Sequence, residues 1–325
     1  MSASYDVRLV CLCLASFFLV NAAVGAVVHL LSSFAIRRAE QVPARLAERL
    51  LLALRLFPAA VALFFLSALC VPSYISFEPD FTRERMGFLC VLAAFLGAAV
   101  WISSIARSVK AIVQTRRQAG ACNRDGAKLK FADRVPPVSI VEIEAPLLAV
   151  AGVFHPRVVV SRGILRKLSP DQLSVALSHE IAHVRSLDNL KRFALLIAPD
   201  VLPFSRSFAK LDESWKNFAE WAADRDATGG NALASVSLAE ALLMVTRMGA
   251  ARQVSPLLTP FAPADQGLAP RLDRLLSPRS ESTASHRALV GVFSVAIAAA
   301  CLLALFASRP ETLLFVHQLL ERLVG

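Results

Sequence analysis

Apolar and polar positions divide this chain into two textures. Near both ends apolar residues run almost unbroken, while between them they recur at the periods of helices and strands. The unbroken runs form four blocks, at about residues 9–31, 50–71, 86–105 and 288–307. Each is close to the roughly 20 residues that an α-helix needs to cross the hydrocarbon core of a bilayer. The first is too long for a signal-peptide core, and no small-residue cleavage site follows it. A shorter run at 193–202 is broken by Pro199 and Asp200 and reads as a core or interfacial segment.

The middle of the chain has patterned elements. Residues 138–144 alternate as a half-buried strand does, and 147–153 and 157–161 read as two more short strands, the last around Val158-Val159-Val160. Gly163 allows a turn after them. Ser169-Pro170-Asp171-Gln172 is a helix start: Ser169 caps, Pro170 fits the first helical position, Asp171 complements the dipole and Gln172 completes a capping box. Leu173, Ala176, Leu177 and Ile181 continue at helical spacing. Trp215, Phe218, Ala219, Ala222, Ala223 and Ala227 mark a second amphipathic helix, stopped by Gly229-Gly230. A third, about 233–248, carries Leu238, Leu242, Leu243 and Val245. Residues 254–270 are rich in proline and small residues and read as a loop, and 270–276 restart a short helix. The expected architecture is an α-helical membrane protein with four transmembrane helices and a cytosolic α+β domain. Its units are three spans within 1–106, a basic juxtamembrane linker at 107–135, the α+β domain at 136–280, and a fourth span with a short tail at 281–325.

Composition agrees with a membrane chain: 56% of the 325 residues are hydrophobic and mean hydropathy is +0.55. Charge sets the expected orientation. The first loop carries Arg37, Arg38, Arg45 and Arg49, and the segment after the third block carries Arg107, Lys110, Arg116, Arg117, Arg124, Lys128, Lys130 and Arg134. The positive-inside rule puts both in the cytoplasm and the N-terminus outside, in what reads as a bacterial cytoplasmic membrane. The net charge of +10 is placed beside a span, where anionic lipid attracts it, and no aromatic-basic stacking pattern accompanies it, so nucleic acid is not expected as a partner. Of the six cysteines, five lie in the apolar blocks and none has zinc-ribbon spacing.

The chemistry is carried by His179-Glu180-Ile181-Ala182-His183, which reads H-E-x-x-H, in the second half of the capped helix. Histidines four residues apart lie one turn apart on one face, so both imidazoles reach a single metal ion. Glu180 can address a water on that ion as general base, and bound zinc lowers the pKa of such a water to about 7. A third ligand is needed from another element. Glu220 is the candidate, and Asp224, four residues on, shares its face. One carboxylate would bind the metal and the other would accept an N–H from a metal-bound histidine. Asp188, five residues past His183, either supports the site or caps the helix end. One zinc ion is the expected cofactor. A closed structural zinc site would need a fourth ligand, and only His155, in the sheet region, approaches such a place.

The run Phe154 through Leu165, then Leu168-Ser169, Leu177-Ser178-His179-Glu180-Ile181-Ala182-His183 and Asp188 resembles the integral-membrane zinc peptidases of the BlaR/MecR type. Glu220-Trp221-Ala222-Ala223-Asp224 is similar to the E-x-x-A/C-D element of that group and of the HtpX-type and CAAX-processing membrane peptidases. The resemblance implies a zincin-like domain of the gluzincin class: His179, His183 and Glu220 on Zn²⁺, Glu180 as general base, and Asp224 holding the ring of a ligand. It also implies an arginine after the catalytic helices, for which Arg271 is the candidate and Arg274 competes. Antibiotic-sensing members carry a large extracellular domain after the fourth span. This chain has 18 residues after Ala307, so β-lactam sensing is not expected. The expected function is zinc-dependent endoproteolysis at the cytoplasmic face. Its substrate would be a protein or peptide, either a cytosolic repressor or the chain itself, and the activity would serve signal transduction. Quality control of membrane proteins is the rival role.

Overall fold

The computed structural model describes residues 5–78, 86–123, 128–129, 137–201, 206–249, 259–261, 268–277 and 309–324. Three of its helices are long and apolar enough to cross a membrane: Tyr5–Ala39, Ala44–Phe77 and Phe88–Arg117. The first is α1 (Tyr5–Ala39). The second comprises α2 (Ala44–Phe65), a π-helical turn at Leu66–Cys70 and α3 (Val71–Phe77). Pro72 has no N–H to give to the preceding turn, and the ladder widens just before it. The third belongs to α4 (Phe88–Asn123), which corrects one expectation. Residues 107–123, expected as the first part of the linker, continue the helix. The segment is rich in good helix formers (Ala, Lys, Gln and Arg) and contains no proline, and its single glycine, Gly120, costs only about 1 kcal/mol. The fourth expected span, 288–307, lies outside the described residues.

Beyond the spans comes a five-stranded sheet in the order β1-β2-β4-β3-β5. Its strands are β1 (Lys128–Leu129), β2 (Val138–Val141), β3 (Leu148–Ala151), β4 (Arg157–Ser161) and β5 (Thr259–Pro260). The β2 and β4 strands are parallel, and the other pairs are antiparallel. Two expectations change here. Part of the 254–270 loop forms β5, a two-residue strand too short to leave a pattern. Gly163 makes no turn: it sits in helix α5 (Arg162–Lys167), whose start lies against the chain at Ile143 and Glu144. A Cβ there would stand 2.1 Å from the Glu144 carbonyl oxygen, so the glycine serves close approach.

Two further pairs of helices follow. The first is α6 (Pro170–Arg185) and α7 (Asp188–Ile197), and the second is α8 (Arg206–Thr228) and α9 (Ala232–Arg247). A short helix α10 (Leu268–Leu276) and a terminal helix α11 (Pro310–Val324) complete the described chain. The capping box on α6 forms as read, with Ser169 Oγ accepting from the Gln172 N–H at 3.3 Å and Gln172 Oε1 accepting from the Ser169 N–H at 3.1 Å. Asn231 caps α9 one way only, its side chain accepting from the Leu233 and Ala234 N–H groups. Val158, Val160, Ile164, Ala176, Leu238, Leu242 and Phe261 form the core between the sheet and α6 and α9. Each large aliphatic side chain buried there contributes about 1.5–3 kcal/mol.

This unit is built onto the spans. Leu211, Trp215, Phe218 and Ala222 of α8 pack against Val28, Ala47 and Leu51 of α1 and α2. Arg55, in α2, is buried between Asp200 and Asp212, at 3.0 Å from each. Asn21 donates to the Pro199 carbonyl at 3.3 Å and Ser104 to that of Ala198 at 3.4 Å. The 193–202 run therefore ends among the three long helices. At the other end of those helices, Val316 and Leu320 of α11 pack with Leu12, Tyr74, Cys90, Ala93 and Ala94.

Candidate metal centre

The site is assembled from four helices and one turn. Capped at its start and packed through Ala176 on the sheet core, α6 holds His179 and His183 one turn apart and fully buried. Their Nε2 atoms converge to 3.1 Å. From α8, Glu220 brings Oε2 to 3.4 Å from His179 Nε2 and 3.6 Å from His183 Nε2. Among the described residues these three form one of two groups whose ligand atoms could hold a metal ion. His155, the only expected source of a fourth protein ligand, is exposed and stands outside the group.

Each ring is held from behind by a carboxylate. Nδ1 of His183 meets Asp188 Oδ2 at 2.6 Å, and Nδ1 of His179 lies 2.9 Å from Asp224 Oδ1. The contact with Asp188 suits a His183 that carries a proton on Nδ1 and offers Nε2 to a metal, while His179 Nδ1 lies close to Asp224 without a hydrogen bond of good geometry. Asp188 reaches its place because the chain reverses sharply at Ser186-Leu187. Leu187 has φ 59°, a left-handed conformation uncommon for leucine, and α7 begins with Asp188 directed back at His183. Of the two readings of Asp188, the structure shows the contact with the ring; the end of α6 is capped at Ser186, and Asp188 is instead the first residue of α7. Its other oxygen accepts from Ser186 Oγ at 2.7 Å and Lys191 Nζ at 3.0 Å.

Arg271, on α10, closes the far side. Its Nε and Nη2 donate to the two oxygens of Asp224 at 2.9 and 2.6 Å, and Nη1 donates to the Phe261 carbonyl at 2.9 Å. Nη1 also stands 3.2 Å from Glu220 Oε2. Arg274 is directed elsewhere, with its guanidinium 3.8 Å from the centre of the Trp221 ring. Of the two arginines considered, Arg271 is the one at the site. The Phe261 ring lies edge-on to His179, with centroids 5.4 Å apart.

The electrostatics separate the carboxyl groups by role. Burial pushes Glu180 up to about 7, against the pull of the two imidazoles. Burial acts the same way on Glu220, but His183 and Arg271 outweigh it and hold this carboxyl well below the usual range. Asp224 is lowered by Arg271 and His179, and Asp188 by His183 and Lys191, each against its own burial. Burial disfavours the charged form of His183, yet the carboxylates of Glu220 and Asp188 prevail and raise it to about 10. His179 is raised similarly, with burial opposed by Asp224 and Glu220.

The donor set fits a divalent cation of zinc's size. Tetrahedral ligands at about 2.1 Å stand about 3.4 Å apart, and the three observed separations are 3.1, 3.4 and 3.6 Å. Two imidazoles and one carboxylate leave a fourth position open, as hydrolytic zinc sites do. Both oxygens of Glu180 are buried without a hydrogen-bond partner, as is Glu220 Oε2. Buried polar atoms are usually satisfied, and a bound ion with its water would supply the partners missing here.

All seven residues singled out in the sequence, His179, Glu180, His183, Asp188, Glu220, Asp224 and Arg271, fall in this one cluster. Sequence reading missed Ser186, Lys191 and Arg192. Lys191 lies one turn beyond Asp188 on the same helix, which was a usable signal. Arg192 Nη2 stands 3.7 Å from Glu220 Oε1, across an interface that no spacing reveals.

No curated protein and no solved structure gives a significant match to the chain. The sequence model of peptidase family M48 matches residues 127–311, more than half of the length, and takes in every residue of the cluster. The chain belongs to peptidase family M48, a family of zinc metallopeptidases, with three helices able to span a membrane ahead of most of the matched region.

Proposed function

We propose that this protein is an integral-membrane zinc endopeptidase that cleaves a protein substrate at the cytoplasmic face, as a regulatory protease with a BlaR/MecR-type layout. The observation that carries the proposal is the convergence of His179, His183 and Glu220 beside a buried Glu180 whose carboxyl is poised at about 7. His179, His183 and Glu220 would hold the zinc. Zinc bound there supplies Lewis acidity, which polarises the scissile carbonyl and acidifies water.

The remaining work falls to the chain's own side chains. Glu180 takes a proton from the attacking water and delivers it to the departing amine, and a carboxyl near 7 can do both at neutral pH. Asp188 holds the ring proton of His183 on Nδ1, and Asp224 stands behind the ring of His179. Arg271 keeps Asp224 and Glu220 ionised, so that Glu220 remains a ligand.

Two features support four spans with the catalytic unit inside the cell. Loop one, with Arg37, Arg38, Arg45 and Arg49, lies at the end of the bundle that carries α8. The terminal helix α11 packs at the opposite end, and a fourth span in the intervening sequence would carry the chain across. The apolar block 288–307 is long enough to do so. If the substrate is the chain itself, the cut in the 107–135 linker falls after Asn123, since peptidases take substrates extended and α4 is helical up to that point.

Glu180→Gln tests the activity. The purified full-length variant should keep its zinc and lose cleavage by about 10²–10⁴-fold. Undiminished proteolysis by that variant rejects the role of Glu180. Comparative proteomics of cells carrying either form should show a small set of accumulating proteins for a regulatory enzyme. Broad accumulation of misfolded membrane proteins would instead support quality control.

A further inference from the structure

A chain of charge-assisted contacts leads away from His183 and ends in a membrane helix. Asp188 Oδ2 faces His183 Nδ1 at 2.6 Å, and Asp188 Oδ1 takes Lys191 Nζ at 3.0 Å. The same ammonium reaches Glu48 Oε1 at 2.5 Å. Glu48 Oε2 takes Arg45 Nη1 at 3.1 Å, and Arg45 Nη2 pairs with Asp226. Glu48 and Arg45 lie in the first two turns of α2, Lys191 on α7, and Asp226 on α8, six residues past Glu220.

Glu48 is completely buried, like Asp188. A carboxylate hidden at the head of an apolar span is costly unless it is fully paired. Adhesion between α2 and the peptidase unit does not require it, because Ala47 and Leu51 already pack on Trp215 and Phe218. What Glu48 adds is a second anchor for Lys191. With Ser186 and Lys191 both on Asp188 Oδ1, the carboxylate plane is fixed and Oδ2 is aimed at His183. Freed from Glu48, Lys191 would give its whole charge to Asp188 and swing on a flexible stem, weakening the hold of Asp188 on the ring.

We propose that Glu48 is a positioning residue for the metal centre, acting through Lys191 and Asp188 on the ring of His183, so that the seating of span α2 governs the ligand geometry. A shift of α2 against α7 then reaches a metal ligand without involving the substrate. The proposal rests on the zinc reading of His179, His183 and Glu220.

The test uses full-length protein in detergent, loaded with cobalt(II) as a spectroscopic probe of the ligand set and titrated with zinc against a chelator. Glu48→Gln keeps the shape and removes the charge. It should alter the cobalt ligand-field bands and weaken zinc binding about 3- to 30-fold, less than the 10- to 100-fold usual for a direct partner of a ligand. Arg55→Gln removes ion pairs from the same helix away from the relay. It should lower the melting temperature and leave the cobalt bands unchanged. Lys191→Gln combined with Glu48→Gln should be no worse for zinc than the poorer single variant, since both break one chain. Additive losses, or equal spectral changes in the Glu48 and Arg55 variants, would overturn the relay. So would a Glu48→Gln protein that matches wild type in both spectrum and affinity. A wild-type protein that takes up no cobalt at all removes the zinc reading itself and is told apart by that result.

Discussion

Arg271 grips both oxygens of Asp224, at 2.9 and 2.6 Å, while Asp224 lies 2.9 Å behind the ring of His179. The guanidinium is thus two contacts from the metal position, and it is almost wholly buried. Arg271→Met strands the buried carboxylate of Asp224 and leaves the partly exposed Glu220 without its arginine, and losing one partner of a buried pair costs about 3–5 kcal/mol. Chemical denaturation should show a loss of that order together with reduced zinc content. Arg271→Lys restores charge but cannot reach both oxygens in the planar two-pronged manner, so it should fall between the two. A Met variant as stable as wild type would show that the pair holds nothing.

Protons and zinc compete for the same atoms. In the metal-free protein His183 is raised to about 10 from an ordinary 6.5, so its stabilising contribution is complete below 6.5 and is lost as pH climbs through 10. Glu220, Asp224 and Asp188 are lowered from ordinary values of 4.5 and 3.8, so their contribution is complete above those values and is lost as pH falls. Glu180 is raised from 4.5 to about 7, so burying it ionised costs stability as pH rises through that interval, and metal-free stability should peak at about pH 5 and fall from there. Zinc uptake at pH 7 should release a proton, and affinity should weaken about tenfold per pH unit on acidification. Calorimetry in buffers of different ionisation enthalpy measures that release, and a value of zero would show that His183 is already neutral.

Gly163→Ala should destabilise the peptidase unit by about 1–3 kcal/mol. The added methyl meets backbone, the Glu144 carbonyl at 2.1 Å, and backbone cannot rotate aside as a side chain would. An unchanged thermal transition would mean that α5 does not lie so close to residues 143–144.

Leu187→Asn should stabilise by up to about 1 kcal/mol, because asparagine accepts the left-handed conformation that leucine resists. Leu187 is half exposed, so little packing is lost. Zinc affinity should not change, since the backbone position of Asp188 is preserved. A marked fall in affinity would show that the leucine side chain itself shapes the turn.

What could be read in the sequence was local. The helix bearing His179 and His183 announced itself through its capping box and period, and Glu220 with Asp224 through their shared face. Strand positions followed from runs such as Val158-Val159-Val160. The unread part depended on distance along the chain. Glu48 is 143 residues from Lys191, and as a charged residue beside Arg45 and Arg49 it looked like part of a solvated loop. The β5 strand has two residues and exists only because β3 offers it an edge. The Gly163 contact with Glu144 depends on the path between two elements, which periodicity does not encode.

Glu180 and both histidines are sealed from solvent in the conformation described, and only the Glu220 side chain is partly open. On the proposed reading, a polypeptide would need some covering part of the molecule to withdraw before it met such a centre. Turnover would then be paced by that opening, with bond breaking following quickly behind it. The resting enzyme would be latent, harmless to the proteins around it until something lifts the cover.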